Sequence, residues 1–327
     1  MTPPSTLTVP LAGRDVAQVG YGAMQLTHGG HVASETAVAL LRLAADSGVN
    51  HIDTAWFYGA GACNALIREA LAPYPENLAV ATKLGADSTA GGGLVPAQHP
   101  EQLRRQVEAN LTSLGVERLD VVYLRRLDFA PGIIAEGEQK VNIDDQLAEL
   151  VALREAGKIH SIALSNVDAA QLQHALPVGI EAVQNAYNLL DRETEPVLEA
   201  CREHGIAWIP YIPLGSAFPG HRKVTEDATV LAVARELGAT ASQVGLAWLL
   251  AHYERTLLIP GTTSPGHLAE NLAAADVELG PDAMAHLDAL AGAVRGDRDP
   301  AEVEMARSRA RCSSKLQPPD DQASRLS

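Results

Sequence analysis

Short β-branched runs alternate with longer stretches of helical apolar spacing from residue 16 to about residue 290. The pattern predicts strands at Val16–Tyr21, Asn50–Asp53, Leu78–Thr82, Asp120–Leu124, Ile159–Leu164, Ala182–Ala186, Ala207–Tyr211 and Leu257–Ile259. Between them it predicts helices at Glu35–Ser47, Cys63–Leu71, Pro100–Leu114, Ile143–Ala156, Ala169–Leu176, Thr194–His204, Asp227–Leu237 and Ala241–Ala251. Gly48, Gly115, Gly157 and Gly205 stand just past predicted helix ends, where a left-handed residue stops a helix. Strand, helix, strand, repeated in this way, is the grammar of a parallel sheet closed into a single (β/α)8 TIM barrel over residues 1–295. An open doubly wound sheet shares that local grammar, and periodicity alone leaves it standing.

Two segments interrupt the alternation. Ala86–Pro100 and Arg126–Asn142 are long loops containing Gly and Pro, each placed after a strand. Loops of that length in a compact domain often serve as lids, a plain spacer being the alternative. From residue 296 to residue 327 the chain turns charged and then polar, ending SSKLQPPDDQASRLS, which predicts a poorly ordered tail.

Composition narrows the class. With 46% apolar residues in 327, the chain can bury one large core. Its formal net charge of −15, without a basic block, argues against nucleic acid and anionic membrane as partners. Cys63, Cys201 and Cys312 are too scattered for a disulfide framework or a metal site, so no metal is expected. The opening MTPPSTLTVPLAGRD lacks the regions of a signal peptide, and no apolar run of about 18 residues could span a bilayer. A cytoplasmic protein is expected.

The chemistry lies where polar residues fall at strand ends. Asp53 ends the second predicted strand, with Tyr58 following in DTAWFYG; Lys83 ends the third in VATKLG; Arg125 ends the fourth in DVVYLRRLD. Ser165 and Asn166 end the fifth, Gln184 lies in the sixth, Tyr211 ends the seventh, and Pro260–Thr263 follows the eighth. In a closed barrel these ends meet at one rim, where barrel enzymes keep their active sites. Each residue alone has a structural reading: a helix cap, a solvated charge, a packed ring. Together they form an acid-base set. A carbonyl oxygen that gains negative charge during reduction must receive a proton, and a tyrosine with a pKa of about 10 is a sluggish donor. A nearby ammonium lowers that pKa, and a carboxylate keeps the ammonium charged and aimed. Tyr58 is thus the expected acid, Lys83 its tuner and Asp53 the partner of Lys83. Neither GYGAMQ nor GAGACN matches G-x-G-x-x-G, and no Walker A pattern occurs, so no Rossmann site is expected.

The segments GYGAM, GVNHIDTAWFYG, VATKLG, ALSN, VQNAYN, YIPLG and IPGTTSPGHLAEN resemble landmarks of the aldo-keto reductases, from about Gly20 to Leu290. The resemblance implies a barrel that holds NADPH in extended form, with NADH as the alternative, and acts on a small carbonyl substrate. By position it makes Asp53, Tyr58 and Lys83 members of a catalytic tetrad. It assigns Ser165, Asn166 and Gln184 to the nicotinamide carboxamide and Tyr211 to stacking on the ring. Pro213, Leu214 and Gly215 fall at the pyrophosphate loop, and Thr262, His267, Glu270 and Asn271 at the adenosine end. Gly22, Gly261 and Thr263 complete the cofactor set.

Two departures matter. Arg125 stands where the family usually has His; arginine cannot donate a proton, but it can bind the carbonyl oxygen and add positive field. No Lys or Arg occurs between Arg255 and Arg295 to grip a 2′-phosphate, which leaves hydroxyls and helix-end amides near His267. Within the family the chain is most similar to bacterial pyridoxal reductases, which share that arginine. Trp56 and Phe57 could stack on a flat substrate ring, with core packing the alternative. A reductase of sugars or secondary-metabolite ketones, or a cofactor-sensing regulatory subunit, would fit the same resemblance.

Overall fold

The computed structural model of the chain describes residues 7–27, 32–89, 93–215 and 222–290. The expected tail, with Cys312, lies outside these residues. An antiparallel hairpin, β1 (Thr8–Leu11) on β2 (Arg14–Ala17), comes first. Then follow β3 (Tyr21–Gly22), α1 (Ser34–Asp46), β4 (His51–Asp53), α2 (Ala62–Leu71) and β5 (Ala79–Leu84). A second hairpin, β6 (Ala86–Ser88) on β7 (Leu94–Pro96), precedes α3 (Pro100–Leu114) and β8 (Leu119–Arg125). Strict alternation returns with α4 (Ile143–Glu155), β9 (Ile159–Ser165), α5 (Ala169–Ala175), β10 (Ile180–Ala186), α6 (Glu195–His204) and β11 (Ala207–Tyr211). The described chain closes with α7 (Ala228–Leu237), α8 (Ala241–His252), α9 (Pro265–Leu272) and α10 (Pro281–Asp288).

The strands β3, β4, β5, β8, β9, β10 and β11 lie side by side in chain order, all parallel. The segment at residues 256–258 closes the ring. On one edge the Leu257 amide donates to the Trp208 carbonyl at 2.8 Å; on the other the Leu258 amide donates to the Gln18 carbonyl at 2.7 Å. With both edges covered, the sheet is a (β/α)8 barrel and the open alternative is excluded. The eighth strand is thus present as a hydrogen-bonded segment shorter than a regular strand. The first prediction needs correction, because Val16 and Ala17 belong to β2 and the barrel starts only after them. The turn at Ala12 and Gly13, with φ of 51° and 72°, folds that stretch back on β1.

Strand alternation divides the core in two. Ile52, Val80, Val122, Leu164, Val183 and Trp208 point outward against Leu40, Ile67, Leu103, Leu150, Leu172 and Leu198 of the helices. Inside, Ala79, Ala81, Ala163, Ala182 and Ala207 pack around the larger Val121, Tyr123 and Ile209. Val9, Leu11 and Val16 of the first hairpin join this inner cluster, so the hairpin plugs the end where the strands begin. The expected ends of the third and sixth helices are in place: Gly115 and Gly205 close α3 and α6 in the left-handed conformation. Among the described residues, no helix is long and apolar enough to cross a membrane.

Candidate active site

Asp53, Lys83 and Arg125 sit at or beside the last residues of β4, β5 and β8, and Ser165 and Tyr211 end β9 and β11. Tyr58 comes from the turn between β4 and α2. Cys63, Ile67 and Leu71 recur every four residues along α2 and are buried, which docks the helix and swings that turn over the rim.

Lys83 and Asp53 form a buried ion pair, each 4% exposed. The ammonium also donates to the Thr54 carbonyl at 3.1 Å, and the Gln184 amide donates to the second Asp53 oxygen at 2.8 Å. Burial alone would lower the Lys83 pKa, but the Asp53 carboxylate, then Tyr58, push it above the ordinary lysine value. The ammonium lies 5.1 Å from the centroid of the Tyr58 ring and is electrostatically coupled to its hydroxyl. Here the sequence expectation is corrected. Burial raises the Tyr58 pKa by more than Lys83 and Arg125 lower it, so the net shift is upward. The phenol is held neutral, with its proton in place.

Arg125 is half-buried. Its guanidinium reaches the Ser165 hydroxyl at 3.5 Å and the Pro131 carbonyl at 3.2 Å, and lies 5.4 Å from the Tyr211 ring centroid. Arg126 points into the loop wall instead, in a double hydrogen bond to Asp128 at 2.9 Å on each arm. The two interrupting segments are therefore built walls. Gln98 donates to the carbonyls of Gly85 at 2.6 Å and Arg125 at 3.0 Å, and Gln146 donates to the Gln98 carbonyl at 2.7 Å.

The expected cofactor residues fall into three groups. The Ser165 hydroxyl, the Gln184 amide and the half-buried Tyr211 ring come from the adjacent strands β9, β10 and β11. Asn166 adopts φ of 56°; it accepts from the Tyr211 hydroxyl at 3.1 Å and donates to the carbonyls of Arg126 at 3.1 Å and Phe129 at 3.0 Å. Its side chain is thus engaged on every arm. Pro213, Leu214 and Gly215 make a tight turn in which the Gly215 amide donates to the Ile212 carbonyl at 3.1 Å. Farther round the rim, Thr262 is buried and accepts from the Ser264 amide at 3.0 Å, while Thr263, His267 and Glu270 are exposed and Asn271 is buried. At Gly22 and Gly261 the backbone packing itself requires glycine. A Cβ on Gly22 would lie 2.4 Å from the Ile259 carbonyl oxygen, and one on Gly261 would lie 2.7 Å from that of Gly22. Both glycines permit two backbones to touch.

Phe57 is 7% exposed, set edge-on to Tyr58 at 5.2 Å and packed with Ala55, Ala86 and Ile133. It offers no open face to a substrate, and the packing alternative describes it; Trp56 remains half-exposed. Sequence reasoning missed Tyr123, which is 2% exposed inside the barrel. It also missed the buried amides Asn64, Asn110 and Gln146, whose signal was a polar residue on an otherwise apolar helix face, and the buried loop amide Gln98.

Residues 18–291 match the profile of the aldo/keto reductase family. The chain belongs to that family. Among its relatives, the pyridoxine 4-dehydrogenase of Escherichia coli (strain K12) is 39% identical over 291 residues, covering 88% of this chain and 99% of that one. An uncharacterized oxidoreductase of Schizosaccharomyces pombe is 35% identical, covering 86% of this chain and 89% of its own. Among solved structures, an aldo/keto reductase of Klebsiella pneumoniae in complex with NADP and acetate superposes with a TM-score of 0.72 at 24% identity, covering 87% and 95% of the two chains. The glycerol dehydrogenase of Gluconobacter oxydans gives 0.74 at 22% identity, covering 90% and 98%. These likenesses carry the barrel fold. Family membership makes the chain an oxidoreductase acting on carbonyl compounds.

Proposed function

We propose that this aldo/keto reductase is a cytoplasmic, NADPH-dependent aldehyde reductase that converts pyridoxal to pyridoxine, with residues 1–295 as its functional unit. The observation that carries the reading is the convergence of Tyr58, Lys83 and Asp53 at the rim. The donor set beside it suits a nicotinamide: a hydroxyl, an amide and a flat ring from adjacent strands match a planar aromatic that bears a carboxamide. Ser165 and Gln184 would hold the carboxamide and Tyr211 would stack on the ring. Asn166, already committed to Tyr211 and the loop backbone, would act by orienting Tyr211. The adenosine end would rest on Thr262, Thr263, His267, Glu270 and Asn271. When bound, NADPH supplies the hydride. Tyr58 gives its proton to the carbonyl oxygen as negative charge develops there. Lys83 stabilises the phenolate left behind, and Asp53 keeps Lys83 charged. Arg125 donates hydrogen bonds to the same oxygen and moves no proton.

The NADP complex of the Klebsiella structure supports the choice of cofactor, and the Escherichia coli relative supports the choice of substrate. The test is oxidation of NADPH, compared with NADH, on adding pyridoxal. Tyr58→Phe should abolish turnover, a loss of about 10²–10⁴-fold, while cofactor binding persists. Unimpaired turnover in that variant removes Tyr58 as the acid. A second reading, the same chemistry on a more apolar aldehyde or ketone, is favoured by Leu94, Val95 and Ile134. These stand 43%, 40% and 49% exposed on the two wall loops. Pyridoxal ranking at the bottom of a carbonyl panel by kcat/KM would select it.

A further inference from the structure

The residues next to Asp53 and Lys83 along their strands are both threonines, and both face away from the barrel interior. Thr54 donates from its hydroxyl to the Asn64 side-chain oxygen at 2.9 Å, and Thr82 donates to that of Asn110 at 2.7 Å. The two amides join each other: Asn64 donates to the Asn110 oxygen at 2.9 Å, and also to the Ser113 hydroxyl at 2.9 Å. Asn110 completes its set by donating to the Gln106 carbonyl at 2.8 Å. Thr54, Thr82, Asn64 and Asn110 are each 0% exposed.

A chain of four buried side chains therefore connects β4, α2, α3 and β5. Its two ends lie one residue from the carboxylate and one residue from the ammonium. It also spans the turn that carries Tyr58, because Thr54 opens that turn and Asn64 follows it in the first turn of α2. Helix packing alone asks for apolar residues at these places, and buried amides are tolerated only when every arm is satisfied. Here the amide oxygens hold the two strand ends through Thr54 and Thr82, and the Asn64 amide nitrogen ties α2 to α3.

Resting on the reductase reading above, we infer that the Asn64–Asn110 amide pair, with Thr54 and Thr82, is a positioning clamp that sets the mutual placement of Asp53, Lys83 and Tyr58. None of the four touches the reacting atoms. The clamp acts through the backbone, by holding the ends of β4 and β5 so that the ammonium meets its carboxylate beneath the phenol. The titratable groups that face Lys83 are Asp53, Tyr58 and Cys63, and loosening the clamp alters chiefly the first two.

The test uses near-isosteric variants of the full chain. Thr54→Val and Thr82→Val each remove one hydroxyl and keep the volume; Thr54→Ser and Thr82→Ser keep the hydroxyl. Two readouts are taken, steady-state reduction of a simple aromatic aldehyde by NADPH and NMR titration of the Lys83 side chain. The expected result is a loss in kcat of about tenfold for each valine variant, with KM for NADPH unchanged. The Lys83 titration should move to lower pH, and the serine variants should restore both. The double valine variant should lose little more than either single one, since one chain is being cut twice. Valine variants that keep the wild-type Lys83 titration overturn the clamp, whatever their stability. If the wild type reduces no aldehyde but the titration still moves, the reductase reading fails and the clamp stands.

Discussion

Replacing Asp53 by asparagine keeps the shape of the side chain and removes its charge. In the folded protein Lys83 is 4% exposed; its remaining hydrogen-bond partner is the Thr54 carbonyl at 3.1 Å, with the Tyr58 ring centroid 5.1 Å away. Breaking a buried ion pair from one side costs about 3–5 kcal/mol, because the other charge stays dehydrated and unpaired. For a domain of this size, with about 2.1 cal/mol/K of unfolding entropy per residue, that corresponds to a fall in Tm of roughly 5–8 °C. The pH dependence gives a sharper signature. In the wild type the folded pKa of Lys83 is raised, so the stability it contributes is fully present below the unfolded lysine value of about 10.4. That stability is lost only as pH rises through the still higher folded value. In Asp53→Asn the sign reverses. Burial then dominates and the folded pKa falls below the unfolded one. The penalty is full below the depressed pKa and fades as pH climbs from it toward about 10.4. Thermal melts of both proteins from pH 7 to pH 10, followed by circular dichroism, should show a wide gap that narrows with pH. Equal melting temperatures at pH 7, or a gap indifferent to pH, would refute the claim that this carboxylate keeps the lysine charged.

Arg125→Lys should lower kcat by about 10–100-fold with cofactor affinity retained, since an ammonium cannot span Ser165 and Pro131 while facing the substrate oxygen; steady-state kinetics check it. Asn166→Ala should weaken NADPH binding by about tenfold in fluorescence titration, because the Tyr211 hydroxyl loses its acceptor and the left-handed backbone becomes strained. Gly22→Ala should destabilise the barrel by about 2–3 kcal/mol in urea unfolding, its new Cβ meeting backbone at 2.4 Å. His51 is buried against Gly20, and burial depresses its pKa to about 4. The folded state therefore resists protonation, and stability should fall by roughly 3 kcal/mol as pH drops from about 6.5 through 4. His51→Phe should flatten that slope in pH-dependent unfolding.

Much of the site was legible because barrel topology turns sequence position into spatial position. Once Asp53, Lys83, Arg125, Ser165 and Tyr211 are read as strand ends, parallel closure alone brings them to one rim. What stayed hidden has identifiable causes. Val16 and Ala17 read as the first barrel strand because their apolar alternation continues across the boundary; the turn at Gly13 redirects them, and a turn leaves little mark on period. The direction of the Tyr58 shift was missed because the ammonium is visible in the sequence, whereas the packing around the phenol includes Ala86 and Ile133 from separate segments. Asn64 and Asn110 each look like an error in an amphipathic face until their partners, 46 residues apart, are in contact.

The hairpin of β1 and β2 has a consequence for traffic through the molecule. Val9, Leu11 and Val16 seal the floor of an already packed cylinder, so only the opposite rim can receive a ligand. Coenzyme and carbonyl substrate must therefore be received at the same rim. The loops around the lip, where Leu94 and Ile134 stand, are where evolution can change which cargo passes without disturbing the chemistry below.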